Sequence, residues 1–227
     1  MNRKILIPLG AMALALAVFA LPSALHAELQ HTKEAKQPDL HEDKPGVATG
    51  EAAPAFTLTD TNGTSHDLAD FAGKVVILEW TNKTCPYVRK FYDEGHMQGW
   101  QQAYGSRDDV VWLTIDSTNS EHPSYMDAQA WNGFAENEEI KSTAVLLDTD
   151  GQVGKAYNAK TTPHIYVIDG EGTLRYQGAI DSVRSTKTSD IEGATNYLAA
   201  AVDAVLADSE VAETTTEAYG CSIKYAK

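Results

Sequence analysis

The residues of this 227-residue chain best suited to covalent chemistry are its two cysteines, Cys85 and Cys221. Cys85 lies in the segment Trp80-Thr-Asn-Lys-Thr-Cys-Pro-Tyr-Val-Arg-Lys90. Pro86 suits the first position of a helix, where the N–H that proline lacks would have had no partner, so Cys85 is expected as the N-cap. The open N–H groups of a first helical turn, the helix dipole and the nearby Lys83, Arg89 and Lys90 would all favour thiolate over thiol. Because the thiolate is the nucleophilic form of cysteine, the spacing points to thiol chemistry at Cys85. The polar run Thr81, Asn82, Lys83, Thr84 reads as a loop and argues against the alternative, a buried inert cysteine. Two cysteines permit one intramolecular pair, either a static staple or a redox couple.

A second element is Thr161-Thr-Pro163, a proline directly ahead of a strand, where a cis peptide bond is able to fix a tight turn. His164 and His96 together with Cys85 suggest a copper site, but the closely spaced cysteine pair normal to such a site is absent, and ordinary strand and helix histidines are expected. Asp148-Thr-Asp-Gly151 opens like a calcium loop but lacks the later ligands, which makes it a strand-ending turn. No glycine-rich phosphate cradle or catalytic serine motif stands out. No metal ligand is therefore assigned, and no organic cofactor is implied.

The elements that must hold Cys85 and Pro163 read as follows. Ala53-Pro-Ala-Phe-Thr-Leu-Thr-Asp60 alternates as a strand, Asn62-Gly63 supplies a hairpin turn, and Asp67 to Gly73 makes a short helical turn ended by glycine. Lys74-Val-Val-Ile-Leu-Glu-Trp80 is a short β-branched run suited to a buried central strand and delivers the chain to Cys85. One amphipathic helix is expected from Pro86 to about Tyr104, on Val88, Phe91, Tyr92 and Trp100. Asp109 to Ile115 is a second buried strand, Pro123 to Ile140 a second helix, Thr143 to Asp148 a third strand, and Gly154 to Tyr157 a helical turn. This βαβαβ order predicts parallel central strands. After Pro163 come two strands about the turn Gly170-Glu-Gly172, and a helix from about Asp190 to Ala207. Asp208 to Ala218 is acidic and threonine-rich, but Tyr219-Gly-Cys-Ser-Ile-Lys-Tyr225 turns apolar again, so the tail is expected to dock.

The start of the chain has the makings of an export signal: Arg3 and Lys4, an apolar run from Ile5 to Leu21, and a small-residue cut site ending at Ala27. Residues 1–27 are read as a signal peptide, with an uncleaved membrane anchor as the alternative, and residues 28–50 as a flexible polar linker. The mature chain is then long enough for one domain with a real core. A periplasmic or secreted protein is expected, in a compartment where disulfides persist, with no stable membrane insertion after cleavage. A formal net charge of -14 disfavours nucleic acid and anionic lipid as partners.

Taken in order, the Cys-Pro helix start, the αβ unit and the Thr-Pro-strand-hairpin-helix segment resemble the thioredoxin superfamily. The segments Ala53 to Asp60, Gly73 to Trp80, Asn82-Lys-Thr-Cys-Pro-Tyr-Val88, Thr162 to Asp169 and Gly220-Cys-Ser-Ile-Lys224 are similar to the peroxiredoxin-like branch of the alkyl hydroperoxide reductase/thiol-specific antioxidant (redoxin) family. The resemblance implies an α/β thioredoxin-like fold: a central mixed β-sheet flanked by helices, with an N-terminal hairpin extension, a domain over 51–208 and a tail over 209–227 carrying Cys221. Two departures stand out. Val88 occupies the place of the second cysteine of a Cys-x-x-Cys pair, and Asn82 and Leu78 occupy places where peroxiredoxins carry Thr or Ser and proline.

What the resemblance implies is an exported thiol–disulfide oxidoreductase or peroxiredoxin-like antioxidant protein. Cys85 is then the nucleophile and Cys221 a candidate resolving cysteine, with Thr81, Asn82, Thr84, Pro86, Thr162 and Pro163 shaping the pocket. Its substrate would be a peroxide or a disulfide, protein or small, and its electrons would come from an external dithiol protein or small thiol. A redox-inert binding or scaffold protein, with a structural Cys85–Cys221 bridge and a peptide groove beside Pro163, is the alternative from another class.

Overall fold

The computed structural model describes residues 46–226; the expected signal peptide and nearly all of the expected polar linker lie outside them. Among the described residues no helix is long and apolar enough to cross a membrane.

Three strands form the parallel core. β3 (Val75–Trp80) pairs in parallel with β4 (Val110–Asp116), which pairs in parallel with β5 (Ala144–Leu147). These runs are rich in Val, Ile and Leu because both faces of a parallel core are covered. The hairpin of β1 (Thr57–Asp60) and β2 (Ser65–Asp67) adds antiparallel to β5, while β7 (His164–Ile168) adds antiparallel to β3 and is followed by β8 (Leu174–Gly178). The result is one mixed sheet of seven strands, ordered β2-β1-β5-β4-β3-β7-β8, as expected for the fold class.

The two-residue period of β3 divides the core. Val75 and Ile77 face a cluster with Val88, Phe91, Tyr92 and Leu198, under α1 (Pro86–Tyr92), α2 (His96–Gly105) and α5 (Tyr197–Leu206). Val76, Leu78 and Trp80 face the other way, onto Phe56, Tyr157 and Tyr166, beside α4 (Gln152–Ala156). A third cluster joins Trp131 of α3 (Ala128–Asn137) to Met126 and Val145. Each large apolar side chain buried this way contributes about 1.5–3 kcal/mol.

Three helices differ from their expected extents; α3 begins at Ala128 rather than near Pro123, because Asp127 accepts the Ala130 N–H and caps it there. The single helix expected from Pro86 to Tyr104 is two, because Gly95 sits at φ +78, a left-handed conformation that a helix interior does not tolerate. The last helix starts at Tyr197 rather than near Asp190, because Asn196 accepts the Ala199 N–H and caps it there. Order also begins ahead of Ala53: Gly50 N–H donates to the Leu174 carbonyl, and Val47 packs against the second cluster.

The tail docks. Residues 214–216 run along the edge of β8, with backbone bonds joining Gln177 to Thr214 and Thr216. Further on, β9 (Cys221–Ser222) pairs antiparallel with β6 (Thr161–Thr162), placing Thr161 opposite Ser222 and Thr162 opposite Cys221. Beyond the strand, Ile223 N–H donates to the Lys160 carbonyl and the Tyr225 hydroxyl to the Ala159 carbonyl.

Candidate functional site

Cys85 is the N-cap of α1, with Pro86 at the first helical position, as the residue order requires. It is only 2% exposed, despite its polar neighbours, because the tail covers it and Thr81 and Asn82 are themselves buried. Its Sγ lies 2.9 Å from the Thr162 carbonyl oxygen, to which the thiol donates. The Thr162–Pro163 peptide is cis.

Cys221 is brought against Cys85 by the β6–β9 pairing, and both thiols are free. The two titrate in opposite directions. Burial alone would push the Cys85 thiol up, but its thiolate accepts hydrogen bonds from the Cys221 thiol, from Thr162 and from the N–H groups of Cys221 and Val88, and the net shift is downward. Burial, that same hydrogen bond and the Cys85 charge push the Cys221 thiol up to about 11. Cys85 is thus the more readily ionised sulfur and Cys221 its proton-bearing neighbour.

Two of the three positive charges expected to acidify Cys85 are paired elsewhere. Arg89 pairs with Asp93 and Glu138, and Lys90 is buried against Asp181.

A cavity of about 150 Å³ opens on the pair, lined by Thr81, Asn82, Thr84, Cys85, Thr162 and Cys221, together with Thr118, Ser222, Ile223 and Lys224. Six of the eight residues expected at the site therefore line one space. Pro86 instead faces solvent at the helix start, and Pro163 is buried beneath Thr162 without reaching the cavity wall. Asn82 braces the loop before Cys85. Its Oδ1 accepts from the backbone N–H of Thr84 at 3.0 Å and its hydroxyl at 2.7 Å, while Nδ2 donates to the Thr118 and Ser124 hydroxyls at 2.9 and 3.2 Å.

The histidines weighed with Cys85 go to other places. His164 is buried in contact with Tyr166, and burial, with the Lys160 charge, pushes it down to about 3, so it is a neutral imidazole. His96 packs against Trp100 on α2. Among the described residues no three His, Cys, Asp or Glu side chains group as a metal ion would require. Asp148 is buried and occupied by Ser117 and the N–H groups of Val153 and Gly154, the strand-ending turn expected of it.

Two buried polar groups lie behind the site, and neither announces its partners in the residue order. Glu79, 0% exposed, belongs to the α1 side of β3 and accepts from Tyr92, Trp112, Gln101 and Thr114; burial, only partly offset by these donors, pushes its carboxyl up to about 7. Its place in an apolar run hid it, although the alternation of β3 assigns it to the same face as Ile77. The second group is centred on Lys90, which the sequence reading placed near Cys85 but not with its true partners.

The chain is similar to known thiol–disulfide oxidoreductases. The chain is 29% identical over 140 residues to the thiol–disulfide oxidoreductase ResA of Geobacillus kaustophilus (strain HTA426), covering 59% of this chain and 70% of that one. It is 28% identical over 138 residues to ResA of Bacillus subtilis (strain 168), covering 58% and 67%. Among solved structures, an uncharacterized conserved protein from Geobacillus kaustophilus superposes with a TM-score of 0.66 at 26% identity, over 79% of this chain and 93% of that one. A hypothetical protein from Sinorhizobium meliloti 1021 gives 0.65 at 25%, over 80% and 96%. The Redoxin family model matches residues 48–195, a span running from ahead of β1 to the threshold of α5 and including Cys85 and the cis-proline; the chain belongs to the Redoxin family.

Proposed function

We propose that this chain is a thiol–disulfide oxidoreductase whose dithiol is assembled from Cys85 and Cys221, a pair distant in sequence, in place of a Cys-x-x-Cys pair. The observation that carries the reading is that Cys85 and Cys221 line one cavity, brought together by the pairing of Thr162 with Cys221, with Cys85 the more acidic. The activity printed for the ResA relatives supports the reaction class.

In the reductive direction the Cys85 thiolate attacks one sulfur of a substrate disulfide, forming a mixed disulfide and expelling the other sulfur as a thiolate that takes up a proton. Cys221, deprotonated, then attacks Cys85 Sγ. The Cys85–Cys221 bond forms, the second substrate thiol leaves, and the substrate has gained two electrons and two protons. An external dithiol returns the pair to its reduced state by the same exchange. Thr81, Asn82, Thr84 and Thr162 supply the polar wall around the reacting sulfur, with Pro86 and Pro163 fixing the backbone on either side.

The chain is further proposed to be exported, on the basic, apolar and small-residue pattern of residues 1–27, with a cut after Ala27. Peroxide is the second oxidant the family resemblance raises. It would convert Cys85 to a sulfenic acid, with loss of water or alcohol, and condensation with Cys221 would release water.

The test is exchange of the reduced protein with oxidised glutathione, with a protein disulfide such as that of insulin, and with hydrogen peroxide, read by mass spectrometry. Wild type is expected to end as the Cys85–Cys221 disulfide, Cys221→Ser to accumulate a mixed disulfide on Cys85, and Cys85→Ser to do neither. A wild type that forms no Cys85–Cys221 bond with any of the three overturns the reading, whereas a bond that forms but resists reduction by dithiols favours the redox-inert scaffold with its structural bridge.

A further inference from the structure

Lys90, Asp181 and Tyr219 form a buried polar cluster for which the exchange reaction gives no use. Lys90 is 1% exposed, Asp181 2% and Tyr219 4%. The Lys90 ammonium spends all three of its N–H donors inside the protein: on Asp181 Oδ2 at 2.7 Å, on the Val183 carbonyl at 2.9 Å and on the Tyr219 hydroxyl at 3.0 Å. The Tyr219 hydroxyl in turn donates to Asp181 Oδ1. A buried ion pair of this kind is weak evidence for stability, since desolvating both charges offsets most of their attraction. What it does supply is a fixed geometry among the segments it joins.

Those segments are the ones that carry the two sulfurs. Lys90 belongs to α1, whose N-cap is Cys85. One turn toward Cys85 on the same face, Tyr87 packs edge-on against the Tyr219 ring with centroids 5.8 Å apart. Tyr219 stands two residues before Cys221. Between them Gly220 adopts φ +148 and lies so close to β6 that an added Cβ would come within 2.0 Å of the Thr162 oxygen. Asp181 follows β8 and anchors the cluster to the sheet. The cluster therefore ties the helix bearing Cys85 to the strand bearing Cys221 at a point near both.

We propose that Lys90, Asp181 and Tyr219 are positioning residues that set the concentration of Cys221 at Cys85, and with it the equilibrium of their disulfide. The inference rests on the dithiol reading above. A flexible tail presents a thiol at roughly millimolar effective concentration, whereas a well-oriented group reaches far higher values. Loosening the tail thus weakens the intramolecular disulfide relative to glutathione.

The experiment measures the equilibrium constant of the Cys85–Cys221 disulfide against glutathione, and thermal unfolding of both redox states, in wild type, Tyr219→Phe and the double variant Lys90→Met with Asp181→Asn. Tyr219→Phe keeps the ring and removes only the hydroxyl. The double variant removes both charges together, so that neither is left buried alone. Each is expected to lower the equilibrium constant at least tenfold, which moves the midpoint potential up by about 30 mV, and to destabilise the oxidised state more than the reduced one. A constant within twofold of wild type, with both redox states destabilised equally, means that the cluster is structural only and overturns the inference. If wild type itself forms no Cys85–Cys221 disulfide, the dithiol reading fails instead.

Discussion

Thr162 and Cys221 stand opposite each other in register across β6 and β9, so the residue whose carbonyl receives the Cys85 thiol also holds the strand that delivers the second sulfur. One short pairing thus organises both thiols.

Replacing Cys221 with alanine removes a hydrogen-bond donor to the Cys85 thiolate and leaves burial in force. The Cys85 titration is expected to move upward, and alkylation at neutral pH to slow several-fold. Iodoacetamide rates measured against pH check this; an unmoved midpoint would show that Thr162 and the backbone N–H groups suffice alone.

Asn82→Ala deletes the four hydrogen bonds that brace the Cys85 loop and leaves the Thr118 and Ser124 hydroxyls without their amide donor. A loss of about 1–3 kcal/mol in urea unfolding is expected. Asn82→Asp should recover much of it, because the hydroxyls can rotate to donate to the new carboxylate oxygen. That variant should also raise the Cys85 titration, since a negative charge then stands beside the thiolate.

Gly220→Ala combines a left-handed backbone with a collision against Thr162. The added methyl should push β9 off β6, at a cost of about 1–3 kcal/mol, and slow closure of the Cys85–Cys221 bond. Ser222→Ala, an exposed position on the same strand, is the stability control and should shift unfolding by no more than about 0.5 kcal/mol.

Glu79 gives a pH signature. Its carboxyl titrates at 4.5 when unfolded and is pushed up to about 7 by burial in the folded chain. Between those values the folded state holds a proton that the unfolded state has lost, so this group's contribution to stability falls as pH rises, by an amount on the order of 3 kcal/mol across the window. His164 acts in the opposite sense: its folded value of about 3 lies below the ordinary 6.5, so its contribution rises with pH over that interval. Glu79→Gln removes the first effect, and its own side chain can keep an oxygen toward Trp112 while turning the amide toward Tyr92. Wild-type stability minus that of Glu79→Gln, from urea midpoints across the window, should therefore decline with rising pH. A constant difference would mean that Glu79 is charged throughout.

Much of this was readable from residue order because it is local. The β-branched run into Trp80, the Cys85-Pro86 junction and the hairpin after Pro163 each declare themselves within a few residues. The helix break at Gly95 was local too, but a lone glycine in an amphipathic pattern does not announce a second helix. Contacts made at long range stayed hidden. Lys90 is close to Cys85 in sequence and invited the inference that its charge acts on the thiol, whereas folding gives it Asp181 and Tyr219. Glu79 was masked by the apolar strand around it. The tail's aromatics foretold docking, but not the pairing with Thr162, since a two-residue strand has no periodicity to read.

The late position of Cys221 in the chain has a consequence for biogenesis. During synthesis Cys85, the α1 segment and most of the sheet are made well before the strand that bears Cys221, so a growing polypeptide displays one thiol with no internal partner. An oxidant met at that stage can only couple it to something foreign. The two sulfurs come together only when β9 pairs with β6, which has to wait until the strand bearing Cys221 has been made. The fraction of molecules able to close the Cys85–Cys221 bond is then a chemical count of those that have finished folding.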